Sequence, residues 1–140
     1  MDPRGDDFIG ADGYVFGIPT RHGTMPAQMK TFWDATGGHW AKGSLVGKPY
    51  TLMTSTSTQH GGQETTALAS IPVMTHHAMV YVPIGFTHPN LSEIEEAVGG
   101  TPYGAATFTG PTGARMPSAK ELEIAEHQGG HFGKFINRLN

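Results

Sequence analysis

Residues 14–35 read YVFGIPTRHGTMPAQMKTFWDA, and the changes of character along this stretch decide the fold. Tyr14 to Ile18 is a short run, apolar nearly throughout and without alternation, which is how a strand buried on both faces of a parallel sheet reads. Pro19 to Met25 then offers amides, hydroxyls and a guanidinium, and Pro26 to Ala35 reads as a helix. Strand, polar turn and helix are the first half of a βαβ unit. Tyr50 to Met53 and Ala78 to Ile84 repeat the strand signal, with a second helical segment, Gln63 to Thr75, between them. The spacing predicts a small α/β sheet of three parallel strands with right-handed crossovers.

The last helix is the clearest single element. Ser118 and Glu121 form a capping box behind Pro117. Leu122, Ala125, Gly129, Phe132, Ile136 and Leu139 follow at steps of three and four, which predicts one apolar stripe. Gly129 and Gly130 lower helix propensity, so close packing on the sheet is expected to hold them there. Between Gly85 and Met116 runs a long Gly/Pro/Thr-rich excursion, and loops of that length in a compact domain are usually functional or interface-forming. No repeat, low-complexity tract or linker divides the chain, so residues 1–140 read as one domain large enough to bury a real core.

Composition excludes several classes. The 20 glycines among 140 residues are about double the average usage of roughly 7%, which suits a backbone that approaches ligands closely. A net charge of -3 with no Lys/Arg cluster gives no support to a nucleic-acid or anionic-membrane partner. No cysteine is present, which removes disulfides, thiolate metal sites and cysteine nucleophiles. Met1 to Gly10 is acidic and polar, unlike a signal peptide, and no apolar run reaches membrane-spanning length. A soluble, cytoplasmic protein is the expectation.

In an open α/β sheet, ligands sit outside the carboxyl ends of the strands. Two loops occupy such positions. Thr20, Arg21, His22, Gly23 and Thr24 precede a helix, where an anion or the polar edge of a heterocycle can bind; the same residues also read as an ordinary capped turn. Ser55, Thr56, Ser57, Thr58, Gln59, His60 and Gly61 form a hydroxyl-rich, close-approach surface. GxGxxG and the P-loop lysine are absent. His127 and His131 lie four apart on the last helix, a chelating spacing, but no motif places a carboxylate beside them and HExxH is missing; a solvated helix face is the better reading, and no metal is assigned. His76 and His77 precede the third strand, either directed at the strand-end region or serving as capping or core residues. Trp40 reads as a stacking platform or as a surface-packing aromatic.

Five stretches then stand in order: YVFGIPTRHGTMPAQMKTFWDATGGHW, STSTQHGGQETTALA, THHAMVYVPIGF, GGTPYGAATFTG and GARMPSAKELEIAEHQG. Together they resemble the WrbA-type (type IV) NAD(P)H:quinone oxidoreductases, in particular their fungal branch. The resemblance runs from about Asp12 to the end. It implies a flavodoxin-like three-layer αβα fold and FMN-dependent two-electron reduction of quinones, with NAD(P)H as co-substrate. Thr20, Arg21 and His22, with Gly23 and Thr24, would line the flavin's ring and ribityl region. Ser55 to Gly61 would wrap the other polar edge of the ring. His76 would lie beside the flavin, and Trp40 in the pocket where nicotinamide and quinone stack in turn. The family more often has a glycine at Ser57 and another near His60, and the side chains in this chain predict crowding against the ring. The family is typically tetrameric, with sites built at subunit contacts.

The family pattern also begins with a strand, a Ser/Gly-rich phosphate-binding loop, and a second strand and helix. Met1 to Gly13 contains none of these. The expectation is therefore a fold lacking the first two strands and that loop. Tyr14 to Ile18 would be an exposed apolar edge, and FMN would lose its phosphate contacts. The alternative to an enzyme is a non-catalytic binding or scaffold protein that associates with full-length relatives.

Overall fold

The computed structural model describes residues 5–139. The elements run α1 (Asp6–Ile9), β1 (Tyr14–Pro19), α2 (Ala27–Asp34), α3 (Gly37–Lys42), β2 (Pro49–Thr56), α4 (Gln63–His76), β3 (Val80–Tyr81), a 3-10 turn (Pro89–Leu91), β4 (Ala106–Phe108) and α5 (Ala119–Ile136). Among the described residues all strand pairings are parallel and all involve β2. β1 pairs along one edge from Tyr14↔Tyr50 to Pro19↔Ser55. The other edge is shared. β3 meets its start at Pro49↔Val80, and β4 meets its end from Thr54↔Ala106 to Thr56↔Phe108.

The pleat sorts side chains onto two faces. Tyr14, Phe16 and Ile18 of β1, with Tyr50 and Leu52 of β2, are buried with Trp33, Leu45, Ala67 and Met74 in the main core. On the opposite face Met53 packs with Ile84, Ala105 and Ile124 of α5 in a second cluster. Helices therefore cover both faces, the three-layer arrangement expected from the sequence.

Within that frame the elements differ from the reading of the sequence. A fourth strand, β4, lies inside the Gly/Pro/Thr-rich excursion. It is three residues long and its place is set by β2, so it leaves no periodic signal. The third strand keeps only Val80 and Tyr81 of the expected Ala78–Ile84. Ala78 has a left-handed φ of 54°, which makes it part of the turn, and Pro83 has no N–H to donate. β1 is not buried on both faces: its pattern alternates, with Val15 50% exposed. Among the described residues no strand pairs with its second edge. That edge opens on a cavity of about 570 Å³ lined by Phe8, Tyr14, Phe16, Met29 and Phe32, among others. The expected apolar edge is thus present.

α5 carries the capping box as expected, but its buried face is rotated from the expected stripe. Glu121, Ile124, Gln128 and Phe132 are buried, whereas Leu122 and Leu139 are exposed. Two polar residues on the inward face broke the apolar pattern. Gly129 and Gly130 are also exposed, with nothing within 4 Å of where a Cβ would stand, so packing does not explain them.

Gln128, 1% exposed, accounts for the rotation. β3 and β4 together occupy the place of one strand, and the break between them leaves the Leu52 carbonyl of β2 facing the helix. The Gln128 amide fills the break. Its Nε2 donates to Leu52 O at 2.8 Å and to Thr51 Oγ1 at 2.7 Å, and its Oε1 accepts from Ala105 N at 2.5 Å. A side-chain amide here does the work of a peptide unit in the ladder. Gly104 makes room for it, since a Cβ there would lie 2.0 Å from Leu52 O. Replacing Gln128 by leucine keeps the volume and orphans three buried polar groups, each worth about 1–3 kcal/mol. Gln128→Leu is expected to lose about 3 kcal/mol in chemical denaturation; a loss below about 1 kcal/mol would show the break is closed by other means.

Candidate active site

The β1–β2 register sets the site. Pro19 lies opposite Ser55, so the chain leaves both strands at the same height, and Thr20 N donates to Ser55 O at 2.8 Å. Arg21 and Thr24 then exchange backbone hydrogen bonds of 2.8 and 3.0 Å. Between them His22 (φ 53°) and Gly23 (φ 80°) are both left-handed, the geometry of a tight two-residue turn. A histidine held there is strained by about 1 kcal/mol or more, and it leaves the His22 ring and the Arg21 guanidinium exposed.

Gly23 backs onto Gly62 at the start of α4. Gly62 has φ 119°, and a Cβ on it would lie 2.9 Å from Thr20 Oγ1 and 3.1 Å from Gly23 Cα. Thr66 Oγ1 donates to Thr20 Oγ1 at 2.7 Å. The two loops are thereby locked to one another through glycine backbone and buried hydroxyls.

The hydroxyl-rich segment is part strand and part loop. β2 continues through Ser55 and Thr56, residues the sequence placed on a loop. Thr56 is buried, and its hydroxyl donates to Thr58 O at 2.6 Å, so it braces the loop rather than facing outward. Ser57 donates to Gly110 O at 3.2 Å. The exposed members are Ser57, Thr58, Gln59 and His60. Gln63, itself buried, donates to Thr58 O at 3.1 Å and Gln59 O at 2.7 Å and so fixes the loop's outline. Ser57 and His60 are not among the residues of left-handed backbone, so the non-glycine side chains at these positions bring no strain.

A polar cavity of about 390 Å³ opens beside this loop. Gln59, His60, Gly62 and Thr65 line one side, and Val98 to Thr101 line the other. The second wall lies in the Gly85–Met116 excursion, which the sequence marked as functional or interface-forming without naming Val98 to Thr101 as site residues. The Gly99–Gly100 pair at the head of GGTPYG was its only residue-level signal.

Trp40 and His76 lie elsewhere in the chain. Thr36 Oγ1 stands 2.9 Å from His77 Nε2, and Gly47 N donates to Ala78 O at 2.9 Å. These contacts hold α3 and the end of α4 together near the starts of β2 and β3. Trp40 is 57% exposed there, and His76 is exposed at the last residue of α4. The 14 residues of α4 put His76 roughly 20 Å from Gln63. One copy of the chain therefore does not bring these two residues to the loops.

His77, next to them, is buried. Thr36 Oγ1 donates to Trp33 O at 2.6 Å, so toward His77 it acts as acceptor and His77 Nε2 carries the proton. Burial first, then the neighbouring His39 and His76, push the His77 pKa below its ordinary value. At the other side of the molecule His127 Nε2 lies 2.8 Å from Thr87 Oγ1, with its ring 5.2 Å from that of His88. The expected solvated face is thus a contact between α5 and the excursion. Among the described residues no three His, Asp or Glu side chains are placed to hold a metal ion.

A three-layer α/β domain with polar loops gathered at the carboxyl ends of adjacent parallel strands defines a flavodoxin-like protein. The solved structure of "the flavodoxin, WrbA-like protein from Agrobacterium tumefaciens" superposes with a TM-score of 0.71 at 19% identity, covering 93% of this chain and 69% of that one. Residues 5–90 match the family described as NADPH-dependent FMN reductase. The chain belongs to that family. It is 50% identical over 135 residues to the NAD(P)H quinone oxidoreductase PST3 of Candida albicans, covering 95% of this chain and 68% of the relative. With the quinone-oxidoreductase QR2 of Triphysaria versicolor it shares 54% over 135 residues, 96% of this chain and 66% of the relative. The NAD(P)H dehydrogenase (quinone) of Aromatoleum aromaticum is 50% identical over 129 residues, 92% and 62%. The chain thus spans about two thirds of the length of these relatives.

Two outcomes follow from this geometry. Gly62→Ala forces a Cβ against Thr20 and Gly23 at a left-handed φ and is expected to cost about 2 kcal/mol in denaturant unfolding; a neutral substitution would mean the loops are not locked at this contact. His77 is depressed in the folded state, so its stabilisation is complete above the unfolded value of 6.5 and is lost as pH falls through the folded value. Melting temperature should drop as the solution is acidified from about pH 7.5 to about pH 5, and less steeply in His77→Gln.

Proposed function

We propose that this chain is the flavin-binding part of an FMN-dependent NAD(P)H:quinone oxidoreductase that works in the cytoplasm as an oligomer. One observation carries the reading: two polar loops, locked through Gly23 and Gly62, stand together at the strand ends beside a polar cavity of about 390 Å³. The quinone-reductase names of relatives at about half identity support it.

The donor set suits a flavin. Its ring edge carries both acceptors and donors, and the loops offer exposed hydroxyls at Ser57 and Thr58, the amides of Thr58 to Gly61, and the Arg21 guanidinium. When bound, FMN supplies the two-electron exchange between NAD(P)H and quinone. The chain's residues bind and orient. Arg21 and His22 project from a rigid turn and would hold the ribityl side of the flavin, and the 57–61 loop, held by Gln63, would border its ring at the polar cavity.

Trp40 and His76 enter only through a second copy. Both are exposed at the end of the sheet opposite the loops, and a pocket that uses both ends is completed between subunits. That reading makes the oligomer a condition of turnover.

Adding FMN to the purified chain should give a bound-flavin spectrum and NADH-dependent reduction of benzoquinone; a colourless, inactive protein overturns the proposal. The shared site has its own test. Arg21→Ala and Trp40→Ala should each be nearly inactive, while their mixture, after subunit exchange, regains about a quarter of wild-type activity if sites form between two copies. No recovery in the mixture would place both residues in one subunit's site or outside it.

A further inference from the structure

Glu121 is 3% exposed, a carboxylate buried on the inward face of α5 beyond what its capping role needs. One oxygen, Oε1, accepts from the backbone N–H of Gly99 at 2.9 Å. The other accepts from Thr107 Oγ1 at 2.9 Å, Arg115 Nη1 at 2.9 Å and Ser118 N at 2.8 Å. Arg115 is placed in turn by the Phe108 carbonyl at 2.8 Å and by the Phe108 ring, 4.0 Å below its guanidinium carbon. Burial alone would raise the Glu121 carboxyl, but the hydrogen bonds from Arg115, Ser118, Thr107 and Gly99 outweigh it and hold the group below the usual carboxylate range. It is ionised, and every donor around it is committed.

A capping box requires only the reciprocal bonds between residues 118 and 121. The bond to Gly99 has a different consequence, because Gly99 belongs to the second wall of the polar cavity. The wall is tightly seated: a Cβ on Gly99 would lie 2.6 Å from Ala106 O, and one on Gly100 would lie 2.9 Å from Leu91 and 3.0 Å from Ile124. Two turns further along α5, Gln128 holds the far end of the same stretch at Ala105. Thr101 and Gly104 close it with reciprocal backbone bonds of 3.0 and 3.1 Å. The segment 99–105 is thus suspended between two buried polar side chains of one helix.

We propose that Glu121 is a positioning residue of the cofactor cavity: through Gly99 it sets the distance between the 98–101 wall and the 59–65 loop, and so the width of the slot into which the flavin ring fits. This rests on the reading of that cavity as the FMN site. Glu121 touches no ligand itself, and it acts through the backbone it holds.

The test compares three variants of the whole chain. Glu121→Gln keeps one acceptor oxygen, which the three donors from Thr107, Arg115 and Ser118 hold, and turns its amide NH2 toward the Gly99 N–H, so the Gly99 bond is the one lost. Ser118→Ala removes the hydroxyl half of the capping box and leaves the Ser118 N and Gly99 bonds to Glu121, so it reports the cost of a weakened helix start. Gly99→Ala leaves the carboxylate intact and displaces the wall directly, which covers the case in which Glu121→Gln does not fold. Each is measured for FMN dissociation constant by flavin fluorescence, and for amide exchange at Gly99 to Thr101, at a fixed interval below its own melting temperature. Glu121→Gln and Gly99→Ala should weaken FMN about tenfold, and Glu121→Gln should speed exchange at residues 99–101; Ser118→Ala should stay within about twofold of wild type in both. Wild-type FMN affinity in Glu121→Gln or, where that variant does not fold, in Gly99→Ala would overturn the proposal. So would an equal loss in Ser118→Ala. If the wild-type chain takes up no FMN, the cavity reading fails with it and the slot has no ligand to fit; unchanged exchange at 99–101 in Glu121→Gln would instead overturn the positioning role alone.

Discussion

The structure depends on a sheet that is broken in one place and closed there by a side chain. Among the described residues β2 is the only strand with neighbours on both edges, and the strand beyond it comes in two pieces, Val80–Tyr81 and Ala106–Phe108, separated by 24 residues of chain. Peptide groups facing such a break must find partners or cost about 1–3 kcal/mol each. The Gln128 amide presents a donor and an acceptor in the same plane as a peptide, which is why glutamine fits where an apolar residue of equal size would not. Once Gln128 is committed to the sheet, the rotation of α5 is fixed. Glu121, seven residues earlier, then arrives on the same face and is available to the other end of the excursion.

Much of the fold was legible because parallel strands and crossover helices write themselves in local composition. The run at Tyr14–Ile18 and the cap at Ser118–Glu121 stand where the sequence put them, and the helix expected at Gln63–Thr75 runs one residue further, to His76. The alternation of β1, the shortness of β3 and the extension of β2 through Thr56 were not legible, and the larger misreadings lie around α5 and the excursion. The stripe on α5 was read from apolar residues alone, and the true inward face has two polar residues that no hydrophobic period counts. β4 is invisible for the same reason, since three residues in a Gly/Thr-rich tract are a strand only because β2, Glu121 and Gln128 make them one. The candidate loops were found by position at the strand ends. The Val98–Thr101 wall was missed because its location depends on tertiary bonds from a helix more than twenty residues away.

The two loops also show why the site is built of glycine and hydroxyl rather than charge. Thr20, Thr56 and Gln63, buried or half-buried, spend hydrogen bonds on the loops' own backbone, and the buried Thr66 donates to the Thr20 hydroxyl. That leaves the outer surface of the loops to backbone amides and to the exposed side chains of Arg21, His22 and Ser57 to His60. Their outline is fixed before any ligand arrives, which reduces the entropy lost on binding. His22 is the one strained residue in this arrangement. Left-handed backbone at a non-glycine residue persists where the surroundings over-determine it, and here the paired Arg21–Thr24 bonds on one side and the Gly23–Gly62 contact on the other do so.

The length of β2 imposes the last constraint. Eight residues of strand separate the starts of the sheet from the loops by roughly 23 Å, and α4 runs back over the same distance. The exposed polar chemistry gathers at one end, and the exposed Trp40 and His76 gather at the other. No side-chain motion within a domain closes such a gap, because the rigid elements span it. A chemistry that draws on both ends is therefore an oligomer's chemistry. In a two-fold arrangement of the kind proposed, a contact that brought one copy's Trp40 to its neighbour's loops would bring the neighbour's Trp40 to its own, and each interface would yield two equivalent sites.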